Sequence, residues 1–120
     1  MINKQAFLNS IYQNIDMVRG DTLTFNFQIQ GLGTTSATFA FLVAENFNDA
    51  PLIRSDSANG GVSLVNTEGD VNTYTVNVRP QQTSGLDVML YHYDLVMYVD
   101  DNVYTLMRGD LNLLNEVERG

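Results

Sequence analysis

Cysteine is absent from the 120 residues. No disulfide framework or thiolate metal site can therefore form, and the chain suits a reducing compartment. Histidine occurs once, at His92, which leaves too few nitrogen and sulfur ligands for an ordinary zinc site. Cations are scarce, with six Lys and Arg against fourteen Asp and Glu and a formal net charge of -8. Nucleic acid demands a basic stripe and an anionic membrane surface a basic patch, so neither is expected as a partner. Long apolar runs are missing too. The group Ala6, Phe7 and Leu8 is too short for a signal-peptide core, and nothing else approaches a membrane span. No Gly-x-Ser-x-Gly elbow and no phosphate-cradling Gly-rich loop appears. Paired carboxylates meet only in space, and short loops suggest no deep cleft to hold them. The expectation is a protein that is no enzyme, with no catalytic residue, no bound metal and no cofactor.

What is present is period-two patterning, the mark of half-buried strands. The stretch 84–114 organises the chain. Tyr91, Tyr93, Leu95, Met97 and Val99 share one face, and His92, Asp94, Val96 and Tyr98 the other. Asp100, Asp101 and Asn102 supply a tight turn, and the apolar character resumes at Val103. Gly109 interrupts the return strand, which predicts a bulge or a close backbone approach. Upstream, Leu23, Phe25, Phe27 and Ile29 alternate cleanly with polar neighbours. Residues 37–45 are apolar on both faces, as a central or interface-forming strand would be. Residues 46–51 read as turn chemistry and 52–56 as a short edge strand. Strands follow at 62–65 and 74–78, Pro80 ends the second, and 81–84 has room for one helical turn. About eight short strands with regular turns predict an all-β fold, an antiparallel immunoglobulin-like β-sandwich, with a small barrel as the alternative. The domain division is an N-terminal arm 1–10, a sandwich 11–114 and a tail 115–120. Phe25, Phe27, Phe39, Phe41, Val76, Tyr93, Leu95 and Met97 are the expected core.

Two Arg-Gly-Asp triplets, at Arg19 to Asp21 and Arg108 to Asp110, are read as a strand corner and a strand interior rather than as adhesion loops. His92 is read as a packed or rim residue. Asp100, Asp101 and Asn102 have calcium-like composition without calcium-loop spacing, so a hairpin tip is expected. Tyr12, Tyr98 and Tyr104 are the aromatics available to stack on a sugar.

Two segments carry a family resemblance: Val18 through Phe25, with Gly20, Asp21 and Thr22, and the pairing of Tyr93, Asp94 and Leu95 with Leu106, Met107, Arg108 and Gly109. They resemble the immunoglobulin-like domains of tailed-bacteriophage structural proteins, nearest the N-terminal domain of the baseplate upper protein family. The resemblance spans residues 15–113. It implies a non-enzymatic virion component that binds other virion structural proteins in multiple copies within a symmetric assembly, as an adaptor of the tail, baseplate or capsid. The alternatives are a capsid decoration or head-fibre attachment protein and a carbohydrate-binding host-attachment module. The implied location is the virion, after synthesis in the host bacterial cytoplasm. Ala6, Phe7 and Leu8 in the arm, with Leu113, Leu114 and Val117 toward the tail, are the expected anchors to neighbouring subunits.

Overall fold

Alternating side chains along the strands build two sheets that share one apolar interior. A computed structural model describes residues 2–3 (backbone only), 11–33 and 35–117. The strands are β1 (Ile2–Asn3), β2 (Ile11–Tyr12), β3 (Ile15–Val18), β4 (Leu23–Gln30), β5 (Ala37–Ala44), β6 (Ile53–Asp56), β7 (Val62–Glu68), β8 (Val71–Val78), β9 (Leu90–Val99) and β10 (Asn102–Leu114). One helical turn, α1 (Pro80–Thr83), sits between β8 and β9. The four-stranded sheet runs β1-β4-β8-β7; the larger runs β2-β10-β9-β5-β6, with β3 also on β10. The fold is the all-β sandwich that the patterning predicted. Three pairings are parallel, β1 with β4 and both β2 and β3 with β10, so the sandwich is mixed rather than wholly antiparallel.

The core forms where the inward faces meet. Phe27 of the smaller sheet packs edge-on to Phe39 of the larger, ring centres 5.2 Å apart, and Phe39 lies 4.3 Å from Tyr74. Phe41 joins Phe25 to Tyr93 at 5.5 and 5.3 Å. Of the eight expected core residues, seven are buried; Phe25 is only partly so. The reason is an open apolar groove of about 370 Å³ between the sheets, lined by Ile11, Ile15, Leu23, Phe25 and Met107. Phe25 stands at its wall rather than in the closed interior.

Residues 11–18 form two short strands, β2 and β3, with a break between them. Gly109 explains the break. A Cβ there would lie 2.1 Å from the Gln13 carbonyl oxygen, so only glycine lets the chain between β2 and β3 press against β10. The Tyr93 hydroxyl donates to that same oxygen at 2.6 Å, and the Asp110 N–H donates to Asn14 Oδ1 at 3.2 Å. Gly109 is thus a close approach; the register irregularity of the hairpin falls between Thr105 and Met107. The tail anchor is also revised. Leu113 pairs with Met17 of β3 and is buried in the core, because β3 extends the sheet beside the end of β10. Val117 is exposed, while Ala6, Phe7 and Leu8 lie outside the described residues. No helix among the described residues is long and apolar enough to cross a membrane.

Candidate functional site

Because β9 and β10 alternate, the hairpin that fills the core also lays a row of polar side chains on the outer face of the larger sheet. Arg108 stands opposite Asp94, Asp110 opposite His92, and Tyr12 on β2 opposite Arg108. On β5, Leu42 faces Asp94 and Ala44 faces His92. The chain leaving Ala44 makes a compact turn, in which the Asp49 N–H donates to the Asn46 carbonyl at 3.1 Å and the Asn46 amide to Asp49 Oδ2 at 3.0 Å. The Leu52 N–H then donates to Val43 O at 2.7 Å. This turn folds over the sheet and sets Phe47 above the polar row.

Phe47 stacks on His92 with ring centres 4.6 Å apart and an interplanar angle of 30°. The Arg108 guanidinium carbon lies 4.2 Å from the same ring centre, within range of a cation–π attraction. His92 and Arg108 rise from adjacent strands, and Phe47, in contact with both, is still 41% exposed. Tyr12, beside Arg108, is 64% exposed. Each of His92 and Arg108 has a carboxylate beside it. His92 Nδ1 and Asp110 Oδ1 are 2.8 Å apart. Asp94 Oδ1 and Arg108 Nε are 3.6 Å apart, and neither atom has a hydrogen-bond partner among the described residues. That distance is an ion pair too long for a hydrogen bond, between two atoms that are closed to solvent although their side chains are partly exposed. A cavity of about 70 Å³ lies under the turn, lined among others by Leu42, Phe47, Pro51, His92 and Asp94.

The aromatics named from the sequence divide. Tyr12 and Tyr98 share this outer face, whereas Tyr104 pairs with the core residue Met97 and is half-buried. Sequence reasoning missed Phe47, which lay in a tract read only as a turn; an aromatic among Asn and Asp residues was the available signal. Arg108 and Asp110 belong to the second Arg-Gly-Asp triplet, which lies inside β10 as expected. In the first triplet, Arg19 donates to both Glu116 carboxylate oxygens and to Leu86 O, and the Gly20 N–H donates to Thr83 Oγ1 at 2.9 Å. Asp100 takes a left-handed φ of 53° at the hairpin tip. Among the described residues no cluster of three His, Asp or Glu side chains could hold a metal ion.

No protein-family model and no curated protein matches the sequence. Among solved structures, a family 123 glycoside hydrolase from Clostridium perfringens, studied for glycolipid glycan hydrolysis, matches at 12% identity with a TM-score of 0.52. The match covers 92% of this chain and 24% of that one, so the chain corresponds to about a quarter of the hydrolase's length. At that identity the likeness is one of fold. It overturns two expectations. One is a non-enzymatic structural part of a bacteriophage virion, whether adaptor, decoration protein or host-attachment module. The other is that the chain is no enzyme, for its fold is one that a glycan-hydrolysing enzyme contains. Composition and short loops do not by themselves separate the two cases, because a β-sandwich of this fold also occurs within an enzyme.

Proposed function

We propose that this chain is a glycan-contacting β-sandwich unit of a glycan-acting enzyme, and that it meets sugar on the outer face of its larger sheet. The observation that carries the reading is Phe47, a partly exposed ring in contact with Arg108 and His92, which in turn have the carboxylates of Asp94 and Asp110 beside them. A sugar ring offers an apolar C–H face and a rim of hydroxyls. An aromatic plane suits the first, and guanidinium and carboxylate groups, with several donors and acceptors, suit the second. The Arg108 and Asp94 side chains are partly exposed, although Nε and Oδ1 themselves are buried, so it is their remaining polar atoms that a hydroxyl could meet. The fold shared with part of a glycoside hydrolase supports the same setting.

Titration of the protein with a panel of oligosaccharides, glycolipid glycans included, tests this by calorimetry and amide NMR. Binding is expected to perturb the resonances of Phe47, His92, Asp94 and Arg108. Phe47→Ala is expected to weaken it at least about tenfold, the equivalent of ~1.4 kcal/mol, with the circular dichroism spectrum unchanged. Absence of binding across the panel, or unchanged affinity in the folded variant, overturns the reading.

A further inference from the structure

The outer face of the smaller sheet differs from the rest of this acidic molecule in carrying almost no charge. On β4 it presents Thr24, Asn26 and Gln28, which pair across to Asn77, Thr75 and Thr73 of β8. Ser63 and Asn66 continue two of these rows onto β7. Glu68, opposite Val71 at one end, is the single ionised side chain of these rows, in a protein with fourteen Asp and Glu. Thr, Asn and Gln at outward positions satisfy the alternation, but ordinary solvated strands draw on Lys and Glu as well, and β4 and β8 use neither here.

These side chains are also held in place across the strands. Thr75 Oγ1 donates to Asn26 Oδ1 at 2.6 Å, Thr24 Oγ1 to Asn77 Oδ1 at 3.2 Å, and Gln28 Nε2 to Thr73 Oγ1 at 3.3 Å. Each bond engages one end of an amide. Among the described residues the N–H groups of Asn26 and Asn77 and the oxygen of Gln28 are left as donors and acceptors, repeating at roughly 7 Å along the strand direction. A groove of about 350 Å³ crosses one end of the face, lined by Gln28, Asn66, Glu68, Val71 and Thr73.

We infer that this face is a second glycan-binding surface, one that takes a neutral polysaccharide chain lying along β4 and β8. Charge matching selects the ligand. A face with no ionised side chain over most of its area imposes no charge desolvation on an uncharged polymer and offers no counter-charge to an anionic one. Amides ordered beforehand also lose little rotamer freedom on binding. The inference goes beyond the Phe47 site and does not depend on it.

The test is titration of the protein with three neutral hexasaccharides, a β-1,4-glucan, an α-1,4-glucan and a β-1,4-mannan, followed by amide and side-chain amide NMR. Shifts are expected at Asn26, Gln28, Thr73 and Asn77, with affinity unchanged between low and high salt, since no ion pair forms. Gln28→Glu, which is nearly isosteric and adds a charge to the face, is expected to lower affinity at least about tenfold, whereas Asp101→Asn at the hairpin tip leaves it unchanged. Shifts confined to Phe47, His92 and Arg108 overturn this inference while sustaining the first site. Shifts on β4 and β8 alone sustain it while the first site fails, and no shifts with any of the three overturn it.

Discussion

At the scale of single residues, Tyr93 shows how a buried polar group can be tied to both stability and pH. Its ring closes the core against Phe41, and its hydroxyl donates to Gln13 O at 2.6 Å. Burial, first, and the negative charge near it push the phenol up to about 12. Below pH ~10, the ordinary value, folded and unfolded chains both keep the proton. Above it the unfolded chain loses the proton first, so this part of the stability falls as pH rises toward about 12. Tyr93→Phe should remove that alkaline loss. At neutral pH it should cost roughly 1–3 kcal/mol, because the Gln13 carbonyl loses its partner. Urea melts of both proteins at pH 7 and pH 11 check this; equal alkaline sensitivity would mean that another tyrosine carries the effect. Tyr91, which donates to Asp87 O at 2.6 Å, is also raised, mainly by burial.

At the scale of elements, the β9–β10 hairpin performs two tasks through one alternation. Its inward residues fill the core and its outward ones supply His92, Asp94, Arg108 and Asp110, so a one-residue slip would exchange them. Gly109 holds the third partner in register, since β2 and β3 meet β10 on either side of the point where Gln13 crosses it. Gly109→Ala would place a methyl group 2.1 Å from backbone, and backbone there is held by the Tyr93 and Asp110 hydrogen bonds. The expected cost is about 1–3 kcal/mol, with hydrogen exchange accelerating first in 11–18. Unaltered protection of those amides would show that the strand break accommodates the methyl group. The sequence singled out Gly109 but not its partner, because a missing side chain is visible in a sequence and the segment that fills the space is not.

At the scale of the whole molecule, the two sheets are joined by a mixed aliphatic and aromatic core. Phe39 meets Phe27 and Tyr74 across the interior and is 2% exposed. Phe39→Ala should cost about 3–5 kcal/mol, a large share of the roughly 5–15 kcal/mol usual for a domain. A thermal or urea midpoint that did not move would show the wrong face turned inward. The core lies between the two outer faces proposed for glycan, so a loss of binding in core variants reports unfolding rather than recognition. Substitutions at Phe47 and Gln28, outside the core, separate the two.

The amino-acid order alone determined which side chains point in and which point out, since period-two alternation is a local property of an extended chain. Leu95 and Met97 against His92 and Asp94 were legible for that reason, as were the acidic hairpin tip and a helical turn, expected at 81–84 and found at Pro80–Thr83. Tertiary structure decided what no local pattern encodes. It laid Phe47 over Arg108 and His92, because the course of a turn depends on the sheet beneath it. It paired β1, β2 and β3 in parallel, because two- and four-residue strands carry too little alternation to announce a partner. It left Phe25 half-exposed, because the width of the groove depends on how far apart the two sheets stand at that side. The candidate site belongs to this second class: its residues come from β2, the β5–β6 turn, β9 and β10, and only the packed sandwich brings them to one face.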